Sequence, residues 1–403
     1  MNIMFVHQNM PGQFKNLAPL LAGNPANKVV FVTKRKQVEI PGVRKLLYKP
    51  SRGAHPSTHH YLRLFENSVL HGQQVVRVAQ DLRKEGFVPD VIVAHPGWGE
   101  SLFLKDVFPN SPLLSYCEYY YQGEGGDVGF EAPASLDQLC RLRARNAHLL
   151  SALEACDQGW SPTEWQRSRH PEAFLPKIEV VFDGIDTDQL RPDENASFTL
   201  PSGEILTRHD EVITYVARNL EPYRGFPTFM RALPKILERR PNAKVVVVGG
   251  DEVSYGAAPG DGLTWRQVMM DEVSFDTARV HFVGTLPYER YVELLQVSKA
   301  HLYLTVPFVL SWSFMEAMAA GCVIVGSRTR PVEEVLRNGE NGFLTDFFSP
   351  DAVAADLDMA LDHPDRERIR AQARQTVLER YQLRLCIARQ MEMLNNLAET
   401  AVL

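Results

Sequence analysis

"VITYVARNLEPYRGF", residues 212–226, begins as an unbroken apolar run of strand length, turns polar at Arg218, passes Pro222, and enters a helical pattern near Pro227 after Arg224-Gly225. A strand, a turn and a helix in that order make one unit of a parallel sheet. Strands of such sheets are buried on both faces and read as continuous apolar runs rather than alternating ones. Runs of the same kind recur as IMFV (3–6), VVFVT (29–33), VIVA (91–94), PLLSY (112–116), KVVVVGG (244–250), VHFVG (280–284), HLYLT (301–305) and CVIVGS (322–327). Helical stretches separate them, so the expected fold class is α/β. Between about 135 and 200 the pattern changes to a helix at roughly 135–155, a Trp-containing stretch, the short strand IEVVF (178–182), and the polar run DGIDTDQLRPDENASFTLPSGE (183–204). That run has the composition of an interdomain linker. Two doubly wound domains facing each other across a cleft are expected, with ligands at the carboxyl ends of the strands.

At 403 residues the chain exceeds the usual size of one hydrophobic core, and 45% apolar with 23% charged residues is ordinary for a soluble enzyme. A formal charge of -6 argues against a dedicated nucleic-acid binder. Cys117, Cys140, Cys156, Cys322 and Cys386 are scattered and show no zinc-like spacing, which fits a reduced, cytoplasmic compartment and gives no metal site. The start MNIMFVHQ lacks the pattern of a secretory signal, and no apolar run is long enough to span a bilayer. The final stretch from Arg366 reads as one or two long packing helices of mixed charge.

The loops after the strands hold the candidates for chemistry. Arg218 and Arg224, six residues apart at the end of one strand, could converge on a single anion, although two surface arginines fit the same spacing. In PFVLSWSFMEAMAAG (307–321) the loop after Thr305 leads to a helix capped by Ser311 or Ser313 and ended by Gly321. With Ser313 as cap, Ser313-x-x-Glu316 is a capping box and explains Glu316 structurally. The same helix start is also a ready diphosphate site. Gly12, in HQNMPGQF (7–14), either lets a ligand approach the backbone or simply makes a tight turn. His95 follows the strand VIVA directly, where an imidazole can act as acid, base or donor. Glu118, Tyr119, Tyr120 and Tyr121 lead into a Gly-rich loop and suit a sugar or other amphipathic acceptor, or else form aromatic core. Asp186 and Asp188 imitate a metal site but sit in the linker run, where turn chemistry is the simpler account. VVVVGGDEVSYG lacks the spacing of a dinucleotide loop.

Taken together, the chain resembles the retaining nucleotide-sugar glycosyltransferases of family 4, also called glycosyl transferases group 1. The resemblance covers nearly the whole chain and is weakest between about 35 and 85. Its most specific stretch is 307–345, where FMEAMAAGCVIVGSRTRPVEEVLRNGENGFLTD is similar to the family's acid-A-M-A-x-G helix, the next strand and the later E-V-x-x-x-G-x-N-G-x-L segment. VVFDGIDTDQLRP (180–192) is similar to the interdomain V-x-N-G-V-D-x-x-x-F-x-P, with Asp183 in place of the usual Asn.

The resemblance implies the GT-B architecture, with an acceptor-side Rossmann-like domain at 1–190, a donor domain at 191–383, and a C-terminal helix at about 384–403 packing back on the first domain. It implies that Arg218 and Arg224 bind the donor diphosphate, that Glu316 hydrogen-bonds the ribose, and that the backbone of Val309, Leu310, Ser311, Trp312 and Ser313 meets the phosphates. Val283 and Gly284 would pass the nucleotide base, Gly12 would lie near the donor, and His95 would contact the transferred sugar. One departure stands out. The family's acid eight residues before Glu316 is Phe308 here, so recognition of the donor sugar must differ or be lost.

The expected function is retaining transfer of a sugar from a nucleotide-diphosphate donor to a glycan, lipid-linked or small-molecule acceptor, with no metal or other cofactor and no nucleic acid. Rival expectations are an epimerase or hydrolase of the same fold and a non-catalytic nucleotide-sugar-binding subunit. The basic stretch RLRARNAHLL (141–150) could touch a membrane surface, and a solvated helix face explains it equally well.

Overall fold

The computed structural model describes residues 1–400 and divides into two compact units, Met1–Gly184 with Arg384–Leu403, and Ile185–Leu383. The last three residues of the expected C-terminal helix lie outside the described part; the helix itself runs Leu383–Thr400. Its Gln390 donates to the Phe182 carbonyl (2.9 Å) within the first unit.

In the first unit, among the described residues, seven strands form one parallel sheet: β1 (Asn2–Val6), β2 (Lys28–Thr33), β3 (Val43–Leu47), β4 (Val91–Ala94), β5 (Leu113–Tyr116), β6 (Gln158–Ser161) and β7 (Ile178–Val180), in the order β3-β2-β1-β4-β5-β6-β7. Phe5 of β1 is in register with Phe31 on one side and Val93 on the other. Because the sheet is covered on both faces, every residue of β4 and β5 is buried, which accounts for their unbroken apolar sequences.

Two strands of this sheet did not announce themselves in the sequence. The edge strand β3 carries Arg44 and Lys45 and is half exposed, so only one of its sides needs apolar residues. The four-residue β6, QGWS, contains Gln and Gly and is held by backbone pairing to β5 and β7. The single helix expected near 135–155 is two, Leu136–Arg145 and Ala147–Ala155. They break at Asn146, whose buried amide donates to the Tyr121 carbonyl and accepts the Tyr121 N–H.

The second unit opens with a small antiparallel pair, β8 (Ser197–Thr199) inside the run that composition marked as linker and β9 (Ile205–Thr207) directly after it. Buried Leu190, Ala196 and Phe198 make this segment part of the unit's own packing. Asp186 spends its carboxylate on the backbone N–H groups of Asp188 and Gln189, a turn. Next come β10 (Val212–Asn219), β11 (Lys244–Gly250), β12 (Val280–Gly284), β13 (Ala300–Tyr303), β14 (Val323–Ser327) and β15 (Phe343–Thr345). Among the described residues they form a six-stranded parallel sheet in the order β12-β11-β10-β13-β14-β15.

The two sheets share one topological feature. Strand order reverses between β1 and β4 in the first and between β10 and β13 in the second, and the loops leaving strands at such a point diverge to leave a crevice. His7 and His95 follow β1 and β4; the arginine loop and the Pro307–Leu310 loop follow β10 and β13.

Candidate functional site

In the second unit the site is built around Arg224. The pairing of β10 with β11 slips by one residue between Val216 and Asn219, and the chain then makes a single 3-10 turn, Pro222–Arg224, ending at Gly225. A bulge adds a residue without breaking the ladder on either side. Gly225 is required twice, by its left-handed φ of 64° and by Leu304, whose Cβ would sit 2.5 Å from an added methyl. The turn therefore lies tight against the end of β13.

Arg224 is buried, 8% exposed, and its Nη1 contacts the Tyr303 hydroxyl (2.9 Å), Thr305 Oγ1 (2.8 Å) and the Val309 carbonyl (3.2 Å). All three acceptors are neutral. Among the described residues no carboxylate pairs with this guanidinium, and Nε and Nη2 have no protein acceptor. A guanidinium keeps its proton in proteins, so a permanent charge with unused donors faces the end of the sheet. Arg218, by contrast, is exposed and without a hydrogen-bond or ion-pair partner among the described residues.

Tyr303 links this cation to the next loop, because its hydroxyl also accepts the Ser311 N–H (2.9 Å). Ser311 is the cap of the helix Trp312–Ala319, its hydroxyl accepting from the Ser313 N–H (3.3 Å) and meeting the Ser313 hydroxyl (2.9 Å). Ser313 is thus the second helical residue, and the capping box expected at Ser313-x-x-Glu316 is not formed. Glu316 lies too far into the helix to reach back to its start, and its carboxylate has other partners. The Tyr288 hydroxyl donates to Oε1 (3.1 Å) and the Tyr291 hydroxyl to Oε2 (2.9 Å), both from the helix Tyr288–Val297. Burial, then the Glu316 charge, then these hydrogen bonds push both phenols far above their ordinary range, so they stay donors. Val309 and Leu310 are buried beside Arg224, and Trp312 is the first residue of the helix.

Phe308, in the place of the expected acid, is 5% exposed and meets Tyr223 (5.7 Å, 86°) and Tyr255 (5.2 Å, 62°) edge to face. Tyr255 is fixed by a residue the sequence reading passed over. Buried Glu221 accepts the N–H groups of Ser254 (3.2 Å), Tyr255 (3.1 Å) and Gly256 (3.0 Å), tying the loop after β11 to the arginine turn. Val283 packs partly against the core, and Gly284 has open space where a side chain would be. Neither contacts the Arg224 cluster in any recorded hydrogen bond.

In the first unit four side chains from the ends of β1, β4 and β5 form a chain of contacts. His7 Nδ1 accepts the Asn9 N–H (2.8 Å), which leaves Nε2–H to donate to Gln13 Oε1 (2.7 Å). Gln13 Nε2 donates to Glu118 Oε1 (2.7 Å), and Glu118 Oε2 lies 3.4 Å from His95 Nε2. His95 Nδ1 accepts the Gly97 N–H (3.1 Å), and the ring stacks between Trp98 and Tyr116. Burial, assisted by His95 and opposed by Gln13, holds the His7 pKa well below its ordinary value, so His7 is neutral near pH 7.

Gly12 belongs to this cluster for a steric reason. It has a left-handed φ of 54°, and an added Cβ would fall 2.4 Å from His7 Nε2. The space over Gly12 is taken by the imidazole. Tyr119 donates to Asp127 (3.3 Å), Tyr121 lies under the Arg145 guanidinium (3.6 Å), and Tyr120 approaches His170 (6.1 Å). The Gly-rich loop is pinned too, by Gln122 to the Arg169 carbonyl and by Arg169 to the Glu124 carbonyl, both 2.6 Å. Glu118, with its side chain one-third exposed, is the accessible polar group of the tyrosine stretch that touches His95.

Among the described residues no group of His, Cys, Asp and Glu is arranged to hold a metal ion, and no helix is long and apolar enough to cross a membrane.

Solved structures with the same fold include a sucrose-phosphate synthase from Thermosynechococcus elongatus (TM-score 0.71, 16% identity, 99% of this chain and 100% of that one). Anabaena Alr3699/HepE in complex with UDP is another (TM-score 0.69, 15% identity, 98% and 100%). At that identity the likeness establishes the GT-B fold. Among curated relatives, a D-inositol 3-phosphate glycosyltransferase of Corynebacterium glutamicum (strain R) is 30% identical over 207 residues, 50% of this chain and 47% of that protein. The chain spans about half the length of the curated relatives it matches. Residues 25–190 match the family model described as Glycosyl transferase family 4 group, and residues 202–376 match Glycosyl transferases group 1. The chain therefore belongs to the family 4, group 1 glycosyltransferases.

Proposed function

We propose that the protein transfers a sugar, with retention at the anomeric carbon, from a nucleotide-diphosphate sugar to a carbohydrate, lipid-linked or small-molecule hydroxyl. The second unit is the donor domain and the first the acceptor-side domain. The observation that carries this reading is the buried Arg224, whose Nε and Nη2 donors lack protein acceptors at the end of the sheet, one phenol away from the start of the Ser311-capped helix. A diphosphate supplies the negative charge and the acceptors that this arrangement lacks. Relatives point the same way: one is named a D-inositol 3-phosphate glycosyltransferase, another a GDP-mannose-dependent mannosyltransferase, and a structural neighbour was crystallised with UDP-glucose.

In the reaction the bond between the anomeric carbon and the diphosphate oxygen breaks, and its electron pair leaves with the nucleoside diphosphate. The acceptor oxygen bonds to the same face of the anomeric carbon, and its proton passes to the departing phosphate oxygen. Arg224 and the exposed Arg218 meet the charge that grows on the leaving group, which is where fixed donors lower a barrier most. Because two guanidiniums supply that charge, turnover is expected to persist in chelator. Glu316 holds the ribose, Val283 and Gly284 flank the base, and His95 with Glu118 faces the transferred sugar and the acceptor.

The test is binding and turnover together. Calorimetry against a panel of nucleoside diphosphates should find a binder, and the matching sugar donors should be consumed only when an acceptor is added. Arg224→Lys should keep the fold and lose 100-fold or more in kcat, since an ammonium lacks the planar fork. Conversion of donor without acceptor would point to an epimerase or hydrolase, and wild-type rates in Arg224→Lys would refute the assignment of that residue.

A further inference from the structure

The second unit holds a cavity of about 340 Å³ at the opposite end of its sheet from Arg224. Lys299 stands immediately before β13, and its N–H donates to the carbonyl of Val212, the first residue of β10 (2.8 Å). Arg208 lies in the turn between β9 and β10, and Arg366 and Arg370 are on the helix Arg366–Arg380. These four cations line the cavity with the carboxylates of Glu194 and Glu367, so with His209 neutral the wall carries a net charge of +2. β10 runs eight residues from this end to the arginine turn, which by strand rise sets the two places roughly 25 Å apart.

The two signs of charge are held differently. The side chains of Arg208 and Arg370 are 13% and 16% exposed, whereas those of Glu194 and Glu367 are 84% and 70% exposed. The Gly321 carbonyl fixes Arg370 by accepting from Nε (2.6 Å), and the Leu361 carbonyl fixes Arg366 by accepting from Nη1 (2.6 Å). The acids reach in from the water. Glu367 accepts from Arg370 Nη1 on both oxygens (2.8 and 3.0 Å), and Glu194 approaches Arg208 Nη1 to 3.2 Å at an angle that makes no hydrogen bond. Ion pairs to such exposed carboxylates are weak.

Much of the donor capacity is unused. Arg208 makes no hydrogen bond among the described residues, although its Nη1 is buried. Lys299 gives one of its three protons to the His209 carbonyl (3.0 Å) and has no carboxylate within ion-pair distance among the described residues. Asp210, whose charge Lys299 stabilises, spends its carboxylate on the N–H and hydroxyl of Thr207 (both 2.8 Å).

We propose that this cavity is a second ligand site, for a sugar phosphate, separate from the loops that hold Arg224. A phosphate monoester carries a charge of about −1.5 to −2 near pH 7, which matches the net charge of the wall, and its oxygens suit several guanidiniums at once. Buried donors without acceptors are a standing cost that such a ligand removes. The phosphate group alone leaves most of the cavity empty, and a sugar ring fills it. Glu194 and Glu367 are acceptors only, so the hydroxyls of a sugar are the donors that suit them. The inference does not depend on the donor-site reading.

The experiment is calorimetry on the full chain with glucose 1-phosphate, glucose 6-phosphate and mannose 6-phosphate, with inorganic phosphate and glucose as the separate halves of the probe. The tightest sugar phosphate should bind with a dissociation constant at or below about 1 mM. Inorganic phosphate should bind at least about fivefold more weakly, and glucose should give no binding heat. Arg208→Gln removes a side chain that makes no hydrogen bond, so it should keep its urea midpoint while weakening the sugar phosphate about tenfold or more. Lys299→Gln should act in the same direction. Arg224→Lys should leave this affinity unchanged. Affinity lost in Arg224→Lys but kept in Arg208→Gln puts the phosphate among the donor loops and overturns the second site. Failure of all three sugar phosphates to bind overturns it too. Glucose binding as tightly as its phosphates refutes an anion site, and inorganic phosphate doing so refutes the sugar phosphate as its ligand.

Discussion

The Arg224 guanidinium donates to the Tyr303 hydroxyl at 2.9 Å, and that one hydroxyl also accepts the N–H of Ser311, so a single phenol joins the cation to the capped helix. Removing it should disturb both. Tyr303→Phe leaves the half-buried Ser311 N–H without its acceptor and takes one of three acceptors from Arg224 Nη1, at a cost of about 1–3 kcal/mol in stability. Nucleoside diphosphate affinity should weaken by about tenfold. Urea unfolding and calorimetry on the same variant check the two effects, and unchanged affinity would detach Tyr303 from the site.

Gly12 and His7 form a steric pair in the first unit. Gly12→Ala must adopt a left-handed backbone, costing roughly 1–2 kcal/mol, and must also push the imidazole aside. A loss of at least about 2 kcal/mol is expected. In a His7→Ala background the steric part should vanish and only the backbone part remain, so the double-mutant cycle should show a coupling of about 1 kcal/mol or more.

Glu221 accepts three backbone N–H groups from the loop after β11. Glu221→Gln keeps one acceptor oxygen and turns an NH2 group toward donors. Stability should fall by about 1–3 kcal/mol. Amide exchange at Ser254, Tyr255 and Gly256 should accelerate at least tenfold, while exchange within β13 stays protected; uniform acceleration would mean global loosening instead.

His170 gives a pH dependence whose sign can be worked out. Burial lowers its pKa from 6.5 to about 4 in the folded chain, against weaker support from the Gln166 and Arg167 carbonyls. Between those values the unfolded chain binds a proton that the folded chain does not, so stability rises with pH there. The contribution is complete above pH 6.5 and is lost as the pH falls toward 4. From pH 7 to pH 5 the loss is about 2 kcal/mol from this residue. His170→Asn should flatten the urea-midpoint profile by that amount across this interval; an unaltered slope would show that His170 is not the titrating group.

Much of the fold was legible because a strand buried on both faces has to be apolar at every position. β1, β4 and β11 announced themselves in that way, and so did the order of strand and helix in each half. Edge strand β3 and the short β6 did not, since an edge tolerates charge and β6 is held through backbone groups that carry no sequence signature. The helix 312–319 was placed correctly, but its cap was not resolved between Ser311 and Ser313, because both residues can accept from the backbone and only the chain path chooses.

Residue types and their spacing by themselves determined the α/β class, the two strand-and-helix series, and the position of Arg218, Arg224, His95 and Glu316 at strand ends or helix starts. Those are local properties, written by periodicity and by turn residues. Tertiary structure alone decided which of these groups meet. It buried Arg224 against Tyr303 and Thr305, left Arg218 exposed, gave Glu316 two phenols instead of a capping role, and filled the space over Gly12 with His7. The Arg224 and Glu316 pairings join residues far apart in the chain, where packing across neighbouring elements sets the distances; His7 and Gly12 are only five residues apart, but the path of the backbone between them, which spacing does not specify, brings them together.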